Sequence, residues 1–159
     1  EYLGESTYHT GPYDFNKDMN KHSYFIFGGD KECTDEFINL CIKISGPSKR
    51  YIQTDAKSAE VAKYTENFWL ATKVIFFNEL YKLQQASSSM VSWEQFTDML
   101  TRDPRMGNSH MKVPGPDGEF GFGGHCFPKD TEALIHYAQS KNIKLSLLEK
   151  AVNKNKKLR

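Results

Sequence analysis

The chain has 159 residues, which is enough for one domain with a hydrophobic core, or for a small domain plus part of another. Its formal net charge of +1 gives no electrostatic footprint for nucleic acid or an anionic membrane, so we expect neither as a partner. No apolar run reaches the length of a membrane span, and the three cysteines have the spacing of neither a metal site nor a disulfide framework. We therefore expect no metal and a reducing, cytoplasmic compartment.

The first third of the chain predicts one strand–helix–strand unit. Residues 23–27 form an aromatic and β-branched run that stops at two glycines, and residues 51–54 form a second short strand. Between them, Thr34 is expected to cap a helix whose apolar residues recur at spacings of three and four. This order is typical of a parallel sheet. No glycine-rich dinucleotide fingerprint precedes it, so we expect residues 1–55 to be the tail of a nucleotide-binding sheet whose first part lies outside this chain.

Residues 56–85 form the longest helical pattern, with neither glycine nor proline. The later half is apolar on nearly every face, so we expect the helix to be buried on all sides, with a second copy of the chain supplying part of the cover. Lys63 and Asn67 lie one turn apart on this helix, where a cation and an amide can donate to one developing oxyanion. An exposed lysine beside an incidental asparagine is the alternative that this spacing leaves open.

Short elements and loops follow the long helix. Three serines, residues 87–89, break it, and Ser92 is expected to cap a short helix. Residues 103–107 are interpreted as a turn, and residues 112–119 as a loop rich in proline and glycine that must be exposed or face a ligand. The apolar periodicity of residues 145–155 predicts a last amphipathic helix.

Residues 121–130 read Gly-Phe-Gly-Gly-His-Cys-Phe-Pro-Lys-Asp. The glycines allow positive φ and a close approach of the backbone to a ligand, while Pro128 suits the first turn of a helix. Cys126 is therefore expected at a helix N-terminus, where unpaired N–H groups, the helix dipole and nearby Lys129 favour the thiolate. A nucleophilic cysteine is plausible on these grounds, although a small buried apolar residue is the commoner role of a lone cysteine.

These ten residues resemble the catalytic-cysteine signature of the UDP-glucose/GDP-mannose dehydrogenase family. Residues 59–67 resemble its Ala-Glu-x-x-Lys-x-x-x-Asn segment, residues 103–107 its Asp-x-Arg-x-Gly element, and residues 1–6 an acidic segment that follows a Rossmann-type strand. The implied fold is an α/β remnant of a Rossmann-type sheet, followed by a mainly α-helical central domain with one long spine helix. Residues 1–55 would end the NAD-binding domain, and residues 56–159 would form the central dimerisation domain that carries the cysteine.

The resemblance implies a two-step, NAD-dependent oxidation of the C6 alcohol of a nucleotide-linked hexose to a uronate. The enzyme would be a longer parent protein and a homodimer formed through helix 56–85. UDP-glucose is the favoured substrate, with GDP-mannose or a UDP-N-acetylhexosamine as alternatives. This chain alone is expected to be inactive and to bind NAD weakly or not at all. A non-catalytic dimerisation or nucleotide-sugar-binding module is the competing hypothesis, which the retained cysteine disfavours.

By the same resemblance, the catalytic residues are Cys126 as nucleophile, Lys63 and Asn67 as alkoxide stabilisers, Asp130 as a base acting through water, and Glu1 in thioester hydrolysis. Contacts with the substrate are implied for a second set: Leu3, Lys63, Asn67, Arg105, Lys112, Phe122 and Gly123. Contacts with the cofactor are implied for Glu5 and Lys129. Arg105 would act in the neighbouring subunit's site. Asn78 and Glu79 also match the family pattern and are interpreted as structural, and residues 117–120 resemble an insertion.

Overall fold

The structure is a computed structural model that describes residues 22–88 and 90–159. Three of the predicted site residues, Glu1, Leu3 and Glu5, lie outside the described residues. Within the described ranges the elements follow in this order: β1 (Tyr24–Gly28), α1 (Lys31–Ser45), β2 (Arg50–Thr54), α2 (Ala56–Ala86), α3 (Trp93–Thr101), α4 (Cys126–Ser140) and α5 (Ser146–Leu158). They belong to two compact units, Glu1–Thr65 and Glu66–Arg159, and α2 contributes residues to both.

The first unit contains the predicted strand–helix–strand arrangement. β1 and β2 pair in parallel, with Ile26 opposite Ile52. The rings of Phe25 and Tyr51 stack on one face of the sheet, 5.7 Å apart, and Tyr51 Oη donates to the carbonyl of Gly46 at the end of α1 (2.7 Å). The opposite face remains apolar and exposed in this chain, and it is formed by Tyr24, Ile26 and Ile52.

The start of α1 differs from the prediction, because Thr34 does not cap the helix. α1 begins at Lys31 and has Asp30 as its N-cap residue. Thr34 lies inside the first turn, where its hydroxyl donates to the carbonyl of Asp30 (3.0 Å) and accepts from Gln53 Nε2 on β2 (2.5 Å). Lys31 and Asp35 pair across this first turn (2.7 Å), a spacing that adds a little to helix stability. The threonine hydroxyl instead links helix to strand.

α2 begins with a side-chain cap and a close contact to the sheet. Asp55 precedes the helix and accepts from the backbone N–H of Ser58 (2.9 Å) and from its hydroxyl (2.6 Å). These hydrogen bonds lower the pKa of Asp55. Gly28, at the end of β1, packs against this turn so closely that a Cβ there would lie 2.5 Å from Ala59 Cβ. Only glycine allows the helix to approach the strand in this way.

The second unit has two hydrophobic clusters along α2, which runs from Ala56 to Ala86 as the long helical pattern predicted. The first cluster lies among α2, α4 and α5 and contains Ala71, Ile75, Phe122, Leu148, Ala151 and Val152. The second joins α2, α3 and the loop beyond α3 and contains Phe77, Trp93, Met111 and Val113. Ser92 caps α3 as predicted, in a reciprocal capping box with Gln95.

α2 also carries an apolar stripe that one copy of the chain leaves uncovered. Trp69, Phe76 and Leu83 are spaced by seven residues, so they share one face of the helix. They are 61%, 51% and 63% exposed. Ala71 and Phe77 are buried within one chain, and the cover that we expect a second copy to supply for this stripe stays a prediction. Along residues 22–88 and 90–159, no helix combines the length and apolarity needed to cross a membrane.

Candidate active site

Cys126 is the first residue of α4, and its side chain is exposed. His125 before it already has a helical backbone conformation, and Gly124 has a φ of 76°, which only glycine adopts readily. Pro128 lies within the first turn, where a missing N–H leaves no helical hydrogen bond unmade. The predicted position of the cysteine at a helix start is therefore confirmed, and the thiol is open to a substrate.

Asp130 lies one turn further along α4 and is 1% exposed. Asn67 Nδ2, on α2, donates to its Oδ2 (2.6 Å), while Lys129 Nζ donates to its Oδ1 in a very short contact. A buried carboxylate is tolerated when each oxygen has a donor, and these two contacts meet that need. The structure thus brings together the amide of the spine helix, the carboxylate and the lysine that the sequence had proposed, all on or beside the helix that begins with Cys126.

Lys63 lies in the first unit, one helical turn before Asn67 on α2. The helix spacing puts both side chains on one face, as predicted. Within its own unit, Lys63 Nζ lies 5.8 Å from the centroid of the Tyr64 ring.

Arg105 and Lys112 lie on the surface of the second unit. Arg105 donates through Nε and Nη2 to both carboxylate oxygens of Asp103 in the turn after α3, with Nη2 2.6 Å from Oδ2. The guanidinium lowers the pKa of Asp103, and the carboxylate raises that of Arg105. Lys112 is exposed, between the buried side chains of Met111 and Val113. Both cations are accessible to another molecule.

Phe122 and Gly123 precede the cysteine and differ in their surroundings. The Phe122 side chain is 3% exposed and belongs to the first cluster. A Cβ on Gly123 would lie 2.3 Å from Nη1 of Arg159. Arg159 in turn forms a very short ion pair with Asp117. This ion pair attaches the segment 117–120 to the end of α5.

The sequence analysis missed Lys73, the one charged residue of α2 that is buried among the described residues. It is 6% exposed, and its Nζ donates to the carbonyls of Met106 (2.8 Å) and Gly107 (3.4 Å) in the turn that carries Arg105. Burial lowers the pKa of Lys73 because removal from water disfavours the charged form. The signal in the sequence was a lysine within an apolar run of the spine helix, four residues before Phe77.

Comparison with known proteins assigns this arrangement to a family. The sequence model of the UDP-glucose/GDP-mannose dehydrogenase family, central domain, matches residues 57–157. The chain belongs to this family. Among relatives, UDP-glucose 6-dehydrogenase TuaD of Bacillus subtilis is 37% identical over 108 residues, which cover 68% of this chain and 22% of the relative. GDP-mannose 6-dehydrogenase of Pseudomonas savastanoi pv. phaseolicola is 34% identical over 127 residues, covering 79% and 27%.

A solved structure supports the same conclusion about the fold. The structure of a UDP-glucose dehydrogenase from the hyperthermophilic archaeon Pyrobaculum islandicum aligns with a TM-score of 0.75 at 25% identity, over 89% of this chain and 31% of that one. The chain thus spans roughly a quarter of the length of the curated dehydrogenases it matches, 22% and 27% for the two named above. Relatives named for UDP-glucose and for GDP-mannose both match, so membership identifies a nucleotide-sugar 6-dehydrogenase family and leaves the sugar open.

The β1–α1 turn does not fit the pyrophosphate of a dinucleotide. Dinucleotide-binding turns use glycines so that the backbone can approach the phosphates, which lie at a helix N-terminus. Here the space beside Gly28 is already filled by Ala59 and by the carbonyl of Asp55. The N-cap residue of α1 is Asp30, and Glu32 lies in its first turn, which would repel an anion. We therefore assign no step of the chemistry to a cofactor held at this turn.

Proposed function

We propose that the chain is the central part of a nucleotide-sugar 6-dehydrogenase that oxidises the C6 alcohol of UDP-glucose to a uronate in two steps. The observation that carries the proposal is the 2.6 Å hydrogen bond from Asn67 Nδ2 to Asp130 Oδ2. It joins the spine helix to the helix that begins with the exposed thiol of Cys126. Amide, carboxylate and nucleophile are thereby held in one region of the second unit, which supports chemistry over simple binding.

In the first oxidation, Asn67 and Lys63 would stabilise the alkoxide that forms when the C6 hydroxyl loses its proton. An amide carries two N–H groups, and Asn67 uses one of them on Asp130, which leaves the other for the substrate oxygen. Asp130 is buried and each of its carboxylate oxygens already accepts a hydrogen bond, so it would remove the proton through a water molecule instead of by direct contact.

In the second oxidation, the thiol of Cys126 would add to the aldehyde and form a thiohemiacetal, which becomes a thioester and is then hydrolysed to the acid. The hydride acceptor implied by the family resemblance is NAD, which takes up two electrons in each oxidation. Glu1 would assist hydrolysis, Glu5 and Lys129 would contact the cofactor, and Leu3 would contact the substrate. The filled β1–α1 turn supports our expectation that this chain by itself binds NAD weakly or not at all.

The proposed enzyme is a homodimer. The exposed stripe of Trp69, Phe76 and Leu83 on α2 supports this, because a long apolar face is seldom left in water. Arg105, which is 88% exposed in its side chain, would extend into the partner's site, and Lys112, Phe122 and Gly123 would contact the nucleotide sugar. A cytoplasmic location is supported by the free thiols of Cys33, Cys41 and Cys126.

The test is an oxidation assay on the complete product of the gene that encodes this chain. UDP-glucose, GDP-mannose and UDP-N-acetylhexosamines are supplied with NAD, and NADH absorbance and uronate are both recorded. We expect uronate from UDP-glucose, and Cys126→Ser is expected to stall at the aldehyde. Full uronate formation by Cys126→Ser would exclude the covalent step. Hydride transfer at the same rate by residues 1–159 alone would contradict the expected dependence on a longer protein.

A further inference from the structure

The backbone of Phe122 is held on both of its polar groups by one side chain of α5. Phe122 N–H donates to Asn155 Oδ1 (2.7 Å), and Asn155 Nδ2 donates to the carbonyl of Phe122 (2.8 Å). Asn155 is only 8% exposed, so both bonds are shielded from water. A primary amide accepts through its oxygen and donates through its nitrogen, so it can bond an N–H and a carbonyl of the same residue, whereas a carboxylate only accepts. The pairing therefore fixes the orientation of the peptide units on either side of Phe122.

A second buried amide holds the preceding residue from the other side. Gly121 N–H donates to Asn78 Oδ1 on α2 (3.0 Å), and Asn78 Nδ2 donates to the carbonyl of Val74 in its own helix (2.8 Å). Asn78 is 2% exposed. Its amide is thus oriented by α2 and presents its oxygen to the loop. Two consecutive residues before the cysteine are consequently fastened to two different helices.

The hydrogen bonds between Asn155 and Phe122 and between Asn78 and Gly121 form what we call the clamp. This clamp requires glycine at position 121. Gly121 has a φ of 73°, which side-chain-bearing residues rarely adopt, and a Cβ there would lie 2.3 Å from Asn155 Oδ1. The amide can approach the loop only because no side chain intervenes. The close packing of Asn155 on Gly121 therefore complements its two hydrogen bonds to Phe122.

We propose that Asn155 and Asn78 are positioning residues that set the location of the Cys126 thiol. This proposal rests on the function proposed above, since it assigns the thiol to the second oxidation. Only residues 123–125 separate the clamped Phe122 from Cys126, and α4 is held at its other side by the bond from Asn67 to Asp130. The flexible glycines before the thiol are thereby confined between two fixed points. A displacement of about 1 Å at a reacting atom can lower a rate about a hundredfold.

The clamp fixes the orientation of the peptide units beside Phe122, whereas it is not needed to bury the Phe122 side chain. The Phe122 ring is 3% exposed and packs with Phe127 in the first cluster, so hydrophobic contacts hold the side chain without the amides. Hydrophobic packing is non-directional, whereas the paired hydrogen bonds specify how the peptide planes are turned. Loss of the Asn155 amide is therefore expected to leave the fold intact. The backbone between Phe122 and Cys126 would no longer be held in one orientation.

The first experiment measures how mobile a label on Cys126 is, without substrate or cofactor. A nitroxide label is attached to Cys126 in the 159-residue chain with Cys33 and Cys41 replaced by serine, and its mobility is read by electron paramagnetic resonance. Asn155→Ala is expected to raise the mobile fraction of the spectrum about twofold or more. Asn153→Ala is the matched control, because this asparagine of α5 is exposed.

Asn155→Asp is a second variant for the same measurement, in case the alanine variant does not fold. The carboxylate keeps the shape of the amide and the bond from Phe122 N–H, but it cannot donate to the Phe122 carbonyl. A circular-dichroism spectrum checks the fold of each labelled chain. Label mobility equal to wild type in every folded Asn155 variant would overturn the proposal.

The second experiment uses the complete enzyme and measures how product divides between aldehyde and uronate. Aldehyde is trapped with an aminooxy reagent, and uronate is measured by mass spectrometry. Because the thiol acts only in the second oxidation, Asn155→Asp is expected to raise the ratio of aldehyde to uronate about tenfold or more. Cys126→Ser sets the upper limit of that ratio, and Asn153→Ala is expected to match wild type.

The ratio separates positioning from stability. A residue that only stabilises the fold changes the amount of active enzyme, which lowers both products together and leaves the ratio unchanged. An unchanged ratio for Asn155→Asp, with both products reduced, would therefore overturn the positioning role. A wild-type enzyme that oxidises no nucleotide sugar would count against the proposed function alone, because the label reports the mobility at residue 126 without any reaction.

Discussion

Lys73→Met tests whether a buried ammonium fastens the turn that carries Arg105. In the native chain Lys73 Nζ donates to the carbonyls of Met106 (2.8 Å) and Gly107 (3.4 Å) and lies 5.9 Å from the centroid of the Phe77 ring. Its hydrogen-bonding partners are neutral, so burial of the charge is compensated only in part. Methionine has a similar size, fits apolar surroundings and cannot donate a hydrogen bond. The substitution therefore removes both hydrogen bonds with little change in packing.

Two opposing free-energy terms determine how much Lys73→Met lowers the free energy of unfolding. A hydrogen bond involving a charged group contributes about 1.5–3 kcal/mol, and the 2.8 Å bond accounts for most of it here because the 3.4 Å bond is long. Relief from burying the charge offsets part of that loss. We expect the free energy of unfolding to fall by about 1–2 kcal/mol near neutral pH. For a chain of this length that corresponds to a fall in Tm of roughly 2–8 °C.

The difference between wild type and variant is expected to depend on pH. Because burial lowers the pKa of Lys73 in the folded state, the unfolded chain binds more protons between that lowered pKa and the ordinary value of 10.5. The free energy of unfolding of wild type therefore rises with pH through this window, relative to the variant, in which methionine does not titrate. At pH values below the lowered pKa, wild type and Lys73→Met differ in free energy of unfolding by a constant amount. This difference becomes larger as the pH approaches 10.5.

Urea unfolding followed by tryptophan fluorescence measures this difference. Trp69 and Trp93 both lie in the second unit, so the signal reports the unit that contains Lys73. Lys82→Met is the matched control, because Lys82 is an exposed lysine on the same helix. If Lys73→Met and Lys82→Met have equal stability, or if the difference from wild type narrows as the pH rises, the interpretation of Lys73 as a buried anchoring cation is wrong.

Three further substitutions test other contacts. Asn67→Leu removes the 2.6 Å bond to buried Asp130, and urea unfolding is expected to show a loss of about 1.5–3 kcal/mol; an unchanged midpoint would contradict the contact. Gly121→Ala is expected to destabilise more than Gly118→Ala, since both have positive φ but a Cβ only at 121 meets another atom; equal losses would exclude the clash. Phe76→Glu is expected to weaken the proposed homodimer about 4,000-fold in sedimentation, because its two copies of Phe76 together expose roughly 200 Å², or about 5 kcal/mol at about 25 cal/mol per Å²; an unaltered dimer would place the interface elsewhere.

The elements that follow from local pattern were predictable. A stretch of 31 residues without glycine or proline gives α2, and its predicted end at residue 85 differs from Ala86 by one position. The start of α4 at Cys126 follows from the glycines before it and Pro128 inside its first turn, because each constrains the backbone locally. The prediction that Thr34 caps α1 also used a local signal, because threonine is a common N-cap residue. It was wrong because the Thr34 hydroxyl instead accepts a hydrogen bond from Gln53 on β2.

The contacts that join distant segments could not be read from spacing. Asn67 and Asp130 are 63 residues apart, and Asn155 and Phe122 are 33 apart, so each pair depends on how helices pack. The sequence did give partial signals. Asn155 falls on the apolar face of the last helical pattern, where a polar residue needs a buried partner. Such a position predicts that a hydrogen bond exists, but only the packed structure identifies the acceptor and donor.

Side chains of α2 form hydrogen bonds with three separate segments of the second unit. Asn67 binds Asp130 of α4, Lys73 binds the turn at Met106, and Asn78 binds the loop at Gly121. Eleven residues separate the first and last of these side chains, about 16 Å along a rigid helix. Asp130, the turn that carries Arg105 and the loop before Cys126 are therefore placed by attachment to α2 and not by the lengths of the connections between them.

This arrangement bears on the loop of residues 112–120, which precedes Gly121 and Cys126. The loop ends at the attachment of Gly121 to Asn78, and Asp117 within it pairs with Arg159 at the end of α5. Extra length there can bulge outward, because the entropic penalty for a slightly longer loop is small, about 0.6 kcal/mol for a doubling. The residues after Gly121 remain fixed by the two amides, so the path to Cys126 does not change with the length of the loop before it.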